Sequence, residues 1–269
     1  MSGFYIGVDG KARKVKGGYI GIDGKARKIQ KGYIGDENGI ARLCWSGIDP
    51  VFANNSWEQI IAACQTRQIP DTWDVGDQKA MSIDGTDYII DIIGGRHDEY
   101  ADGSGLAPLT FQFHEVYSAT YYPMHSSPIN SVSWQASVMR QTTIPGLLAK
   151  MPTVVQAALR EVKKQTSKGN KSSELIETAD KLFLLSEIEI AGTSNYSFYG
   201  EGGHYSYYYR GNDKAKRLIQ DRGGSTVAYW LRSPSRSDSG AFCVVNQSGA
   251  FDKYNASYIP VYVAPAFCF

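Results

Sequence analysis

Four histidines (His97, His114, His125, His204) and four cysteines (Cys44, Cys64, Cys243, Cys268) are the side chains best suited to proton transfer, nucleophilic attack or metal ligation. Their spacing forms no known engine. There is no H-E-x-x-H, no G-x-S-x-G elbow and no G-x-x-x-x-G-K-[ST] loop. Gly200, Gly202 and Gly203 fall in a Tyr-rich loop, not between a strand and a helix, so they make no dinucleotide fingerprint. A Ser/His/Asp triad is a spatial arrangement that residue order does not address, and nothing points to one. The cysteines form no C-x-x-C pair and no zinc spacing. Ile60, Ile61, Ala62 and Ala63 beside Cys64, and Phe242 and Val244 beside Cys243, predict buried thiols that act as small hydrophobes. The best polar constellation is Asp91, His97, Asp98, Glu99 and Asp102, followed by Gly103-Ser104-Gly105. Oxygen ligands on such a loop could hold Ca²⁺, but the spacing is not that of an EF-hand. A turn whose Asp side chains bond local amides is the expectation. No catalytic residue, cofactor or metal is therefore assigned.

Recognition chemistry is better represented. Tyr196, Phe198, Tyr199, Tyr205, Tyr207, Tyr208 and Tyr209 fall within fourteen residues, among Gly, Ser and Asn. That composition suits binding loops, with rigid amphipathic rings and adaptable polar neighbours. Tyr205 and Tyr208 are expected to be scaffold and the others exposed. The tail has a polar loop, Ser235-Arg236-Ser237-Asp238-Ser239. Asp252, Tyr254, Asn255, Ser257, Tyr258, Ile259 and Tyr262 then lie between the apolar anchors 242–245 and 264–267. A polar, Tyr-rich stretch tied at both ends reads as a presented surface.

The elements that must position these groups are α+β. Ser56 with Gln59 marks a helix start ahead of Trp57, Ile60, Ile61 and Cys64, and Pro70 bounds it. Lys79–Ile83 and Tyr88–Ile93 flank an Asp84-Gly85 turn, and Leu109–Phe113 alternates as a strand. A second helix is predicted over Val132–Thr142 and a third from Pro152. The polar run Lys163–Ser173 predicts a loop. Lys181–Leu185 predicts a buried element, and Ile188 and Ile190 alternating with Glu187 and Glu189 predict a strand. Short strands joined by turns are expected from Ala228 onward.

The 269 residues carry a net charge of +1 and are 42% hydrophobic, enough for a core. Residues 1–34 hold eight Lys/Arg and two Asp, a net of +6, which leaves −5 for the rest. That asymmetry does not describe a general nucleic-acid binder. Tyr5 to Val15 recurs as Tyr19 to Ile29, and a third, decayed copy runs from Tyr33 to Arg42. Each intact copy centres on Asp-Gly, so each is expected to be a hairpin. Single hairpins are marginal in water. The expectation is that they stack, with two or three chains sharing the stack as a homo-oligomer. The domain reading is thus a basic repeat stalk over 1–45 and a binding domain over 46–269. No apolar leader or membrane-length span is present, which predicts synthesis in the cytoplasm without a Sec signal and no membrane insertion.

Tyr229-Trp230-Leu231-Arg232-Ser233-Pro234, Ala241-Phe242-Cys243-Val244-Val245-Asn246 and Val263-Ala264-Pro265-Ala266-Phe267 resemble the ending of a broad family of gut bacterial and phage proteins. Trp57-Glu58-Gln59-Ile60, His97-Asp98, Leu182 to Glu187 and Gly200-Glu201-Gly202 fall in the expected order upstream. That group is similar to the C-type-lectin-fold variable proteins of diversity-generating retroelements, the tropism-determinant type. The resemblance covers roughly 46–269 and implies a C-type-lectin-like domain on a phage or prophage receptor-binding or adhesin protein. It implies function on a virion or outside the cell, against a protein or glycan of a target cell surface. It also implies that Ser235, Arg236, Ser237, Asp238, Asn255, Ser257, Tyr258, Ile259 and Tyr262 are binding positions. Calcium-lectin sugar triplets are absent, and Cys243 and Cys268 do not fit the copper-binding pair of formylglycine-generating enzymes. Such an enzyme or a hydrolase, and a purely structural particle protein, are the rival readings.

Overall fold

Each Tyr-Ile-Gly segment at the N-terminus pairs antiparallel with the basic segment that follows it. β1 (Tyr5–Val8) pairs with β2 (Lys11–Lys14), β3 (Gly18–Ile22) with β4 (Lys25–Ile29), and β5 (Gly32–Gly35) with β6 (Ala41–Trp45). In the two intact repeats the registers Val8↔Lys11 and Ile22↔Lys25 leave two residues for the turn. Gly24 has φ +73, the left-handed conformation a type I′ turn requires. The computed structural model describes residues 5–8, 11–14, 18–22, 24–29, 32–35, 41–45, 47–117, 120–209 and 214–269. Asp9, Gly10, Asp23 and residues 36–40 of the third copy lie outside them.

Two units divide the chain, Met1–Thr72 and Trp73–Phe269. The first also contains α1 (Trp57–Gln65), which begins at the expected capping box. Ser56 Oγ accepts from the Gln59 amide at 3.3 Å, and the Gln59 side chain accepts from the Ser56 amide at 2.8 Å. Ile60, Ile61, Ala63 and Cys64 are its buried face.

The second unit starts with the hairpin of β7 (Gln78–Ile83) and β8 (Thr86–Gly95), closed by Asp84 (φ +50) and Gly85 (φ +73). β9 (Leu109–Phe113) follows. Its five residues are all buried, so its sequence alternation does not mark a wet face. Helical backbone then comes late. A π-helical turn, Met139–Thr143, runs into α2 (Ile144–Leu148), whereas the periodicity predicted a helix from Val132. Ser133 explains the delay: its φ is +54, and its hydroxyl donates to the Ser167 carbonyl. α3 (Thr153–Ala158) starts after Pro152 as expected.

Two further expectations are corrected. Residues 163–173 are no loop but most of a hairpin, β10 (Val162–Gly169) with β11 (Ser172–Asp180). Val162, Lys164 and Thr166 alternate inward, so period 2 is present but carried by polar residues. After β12 (Leu182–Phe183), residues 187–191 form a helix, α4 (Glu187–Ala191), not a strand. Ser186 and Glu189 make a capping box, and that local bonding overrides the apparent Ile/Glu alternation. α5 (Ser206–Tyr209), β13 (Ile219–Gln220) and β14 (Thr226–Val227) lead to the tail, β15 (Tyr229–Pro234), β16 (Ala241–Val245), β17 (Phe251–Asn255) and β18 (Ala266–Cys268).

The result is α+β with short antiparallel sheets. A five-stranded sheet runs β12-β18-β9-β8-β7, and a three-stranded sheet runs β15-β16-β17. The C-terminal strand β18 is therefore interior to the larger sheet. Phe267 stacks on Phe111 at 5.5 Å, and Phe113 stacks on Tyr117 at 4.5 Å. Burying each such ring contributes about 1.5–3 kcal/mol. Tyr100 donates its hydroxyl to the Phe269 carbonyl at 2.5 Å, holding the last residue down.

Candidate functional site

The tail residues with recognition chemistry are held by two turns that meet. The first lies between β15 and β16. Ser235 is buried, and its hydroxyl accepts from the amides of Ser237 (3.3 Å) and Asp238 (3.2 Å). The Asp238 carboxylate accepts from the Gly240 amide at 2.9 Å. Beneath the turn sits Asn130, wholly buried. Its side-chain amide shares its protons among the carbonyls of Ser235 (3.1 Å), Asp238 (2.8 Å) and Ala241 (2.9 Å). Its Oδ1 accepts from the Asn170 amide at 2.7 Å, which ties the turn to the β10–β11 hairpin. Gly169, at φ +76, passes so close that a Cβ there would lie 1.8 Å from the Asn130 carbonyl oxygen. Only glycine fits.

The second turn follows β17. Asn255 Oδ1 accepts from the amide (3.0 Å) and hydroxyl (2.9 Å) of Ser257, and the Asn255 carbonyl accepts from the Tyr258 amide at 2.9 Å. Buried Ala256 links the turns: its amide donates to the Gly240 carbonyl at 2.8 Å. Arg236, Ser237, Asp238, Asn255, Tyr258 and Ile259 are left exposed on the two turns, with Ser257 half-buried. Lys253, which sequence reading passed over between two chosen neighbours, donates to Ser237 Oγ at 2.8 Å and lies 6.0 Å from the Tyr196 ring centre.

Not every expected binding residue joins this surface. Ser235 is spent on its own turn. Tyr262 is 8% exposed, with its backbone paired to Ala228 and Trp230, and its ring meets Tyr121 at 4.7 Å. Asp252 and Tyr254 alternate on β17 to the face opposite Lys253, where the Tyr254 ring packs edge-on to Tyr258 at 5.5 Å. In the Tyr cluster, Tyr205 and Tyr208 are buried and Tyr199 and Tyr209 exposed, as their composition predicted, while Tyr196, Phe198 and Tyr207 are half-buried.

Under the surface lies a buried charged network. Arg232, on β15, is wholly buried; it bonds Glu189 and the carbonyls of Leu184 (2.9 Å) and Glu201 (2.6 Å). Lys164, on β10, bonds Glu189 (3.1 Å) and Asp98. Two cations thus face two anions, the condition for burying charge at tolerable cost. Burial works to raise the Asp98 and Glu189 carboxyls. Lys164 and His97 beside Asp98, and Arg232 and Lys164 beside Glu189, override it and hold both below the ordinary range. Glu201 goes the other way: burial pushes it up to about 7, against bonds from Ser233 and Ser167. Glu187, also buried, accepts from the amides of Asn195 (2.9 Å), Tyr196 (2.9 Å) and Ser197 (2.8 Å), fixing the loop that presents Tyr196. Arg232 and Glu201 stood in the recognised motifs. The inward Lys164 had no sequence signal beyond a period that its polarity concealed.

The acidic constellation does not converge. Asp91 bonds His114 (2.7 Å) and Gln78 (2.8 Å), Glu99 bonds Lys163 (2.7 Å), and Asp102 bonds Arg160 and the Ser104 amide (3.0 Å). No group of three metal-ligating side chains is found among the described residues. The Asp91–His114 pair does line an open cleft of about 300 Å³ with Gln112, Tyr207, Lys216 and Thr226. The bond from Asp91 raises the His114 pKa against burial. Among the described residues no Ser or Cys lines this cleft. Cys64, Cys243 and Cys268 are buried thiols in no disulfide, Cys243 and Cys268 lie in different sheets, and burial pushes the Cys64 thiol up to about 12.

Residues 113–269 match the family described as a domain of unknown function, DUF6273, and the chain belongs to that family. The match begins at Phe113, the last residue of β9, and takes in everything after it, including both turns, Lys164, Glu189 and Arg232. No curated protein and no solved structure matches the chain. No helix among the described residues is long and apolar enough to cross a membrane.

Proposed function

We propose that this chain is a receptor-binding display protein of a phage or prophage, of the tail-associated or adhesin type. Its C-terminal domain is C-type-lectin-like and binds rather than catalyses. The observation that carries the reading is the pair of joined turns at 235–239 and 255–259. Six polar or aromatic side chains (Arg236, Ser237, Asp238, Asn255, Ser257 and Tyr258) and the aliphatic Ile259 sit on a backbone pinned from below by Asn130 and Ala256. Arg and Tyr presented on a rigid frame are the side chains that carry most binding energy at interfaces, at little ordering cost. The motif order that resembles retroelement-diversified proteins supports the same surface, and diversification of it belongs to the proposal. The partner is a protein or glycan on a target cell. The N-terminal repeats would gather two or three copies and multiply a modest single-site affinity.

The test is binding of the labelled full-length protein to a panel of intact bacterial cells and to a glycan array. Saturable binding to a subset is expected. Arg236→Ala combined with Tyr258→Ala should weaken it roughly tenfold or more, with unchanged thermal unfolding. Saturable binding indifferent to both substitutions would remove this surface from the account.

A further inference from the structure

Lys164 and Asp98 meet where an ion pair can become a bond. Lys164 is 2% exposed, Asp98 4% and Glu189 1%. The Lys164 ammonium contacts Asp98 Oδ1, lies 3.1 Å from Glu189 Oε1, and sits 3.9 Å over the Phe183 ring. Thr110 donates its hydroxyl to Asp98 Oδ2, and the Tyr205 hydroxyl lies 2.9 Å from both carboxyl oxygens of Asp98. His97 Nε2 is 3.1 Å from the Gly203 carbonyl, and its Nδ1 lies 3.5 Å from Asp98 Oδ1. The amine, the carboxyl, a carboxylate beside the amine and two hydroxyl groups on the carboxyl are thus brought together away from water.

We propose that Lys164 and Asp98 condense into an intramolecular isopeptide bond. Nζ passes one proton to Asp98 Oδ1, which it contacts, so that amine faces carboxylic acid; Glu189 Oε1 accepts a second Nζ–H, and the lone pair attacks Asp98 Cγ to form the C–N bond. The C=O electrons move onto Oδ2, which Thr110 and Tyr205 stabilise by hydrogen bonds. The C–Oδ1 bond then breaks. Two of the three ammonium protons leave with Oδ1 as water, the first passed directly and the second relayed by Glu189. The third stays as the amide N–H. Ammonium plus carboxylate gives amide plus water, so no oxidant or co-reactant is needed. Fixed contact supplies the high effective concentration such a step requires. The reaction also removes one buried cation and one buried anion, leaving Glu189 and Arg232 as a balanced pair. The bond would close a loop of 66 residues between the end of β8 and β10. This inference does not depend on the receptor-binding reading.

The experiment is intact mass spectrometry of the purified full-length protein, followed by peptide mapping. The expected result is a mass one water below that of the sequence, with a cross-linked peptide joining Asp98 to Lys164. Lys164→Arg should restore the full mass, since the guanidinium does not form the amide, and Glu189→Gln should slow the loss of water in freshly refolded protein. Wild-type protein that keeps its full mass after prolonged incubation, with Lys164 in a linear peptide, overturns the proposal. So does a water loss mapped to any other residue. Both readings come from wild-type protein, so they hold even where a variant fails to fold.

Discussion

Arg232 has no exposed surface and touches four acceptors: the Glu189 carboxylate and three backbone carbonyls, of Leu184, Gln165 and Glu201. A planar guanidinium fits that set, and a lysine ammonium does not. Arg232→Ala should therefore lower unfolding free energy by roughly 3–5 kcal/mol in urea titrations, because Glu189 is left buried without its main partner. Arg232→Lys should recover little of it. A loss under about 1 kcal/mol would mean water reaches the site freely. Glu201 gives a pH signature. Its carboxyl rises from an ordinary 4.5 to about 7 in the folded chain, so over that interval the folded state holds the extra proton. Its contribution is complete below the unfolded value and is lost as pH climbs through about 7. Glu189, held low, contributes in the opposite sense: its share is present above the ordinary 4.5 and lost as pH falls below it. Glu201→Gln should thus flatten the decline in stability between about pH 5 and about pH 8. Parallel wild-type and variant curves would show that Glu201 stays ionised.

Among elements, the β10–β11 hairpin matters most to the surface, since it carries Gly169 and Asn170 to Asn130. Asn130→Ala removes one hydrogen-bond donor from each of three carbonyls of the turn. It should cost about 1–3 kcal/mol and speed amide hydrogen exchange in 235–241 while leaving β7–β9 protected. Uniform exchange across the domain would contradict a local pin. The same hairpin shows why sequence reading stops where it does. Its inward positions include Lys164 and Thr166, and periodicity is legible only when the buried face is apolar. α1 and the β7–β8 turn were legible because Ser56-Gln59 and Asp84-Gly85 act through local backbone bonds. Ser186-Glu189 carries the same local signal as Ser56-Gln59, and the alternation of Ile188 and Ile190 with Glu187 and Glu189 conceals it. The exposed half of the surface was readable from Arg, Tyr, Asn and Ser on turns. The burial of Ser235 and Tyr262 was not, because it depends on partners distant in sequence: Asn130 beneath Ser235, and Tyr121 and Tyr229 beside Tyr262.

At the scale of the whole molecule, the chain joins a repeat-bearing unit to a family domain whose charged interior and joined turns are separate devices. The interior fixes the frame, and the backbones of the two turns are held from beneath by Asn130 and Ala256. The most direct measurement compares two changes in one binding assay on intact cells: Arg236→Ala with Tyr258→Ala on the turns, and His114→Ala in the cleft. The account predicts that the first abolishes most binding and the second leaves it within about twofold, since the cleft lies outside the recognition surface. Binding lost with His114→Ala and retained with the turn substitutions would contradict it and turn attention to the Asp91–His114 cleft.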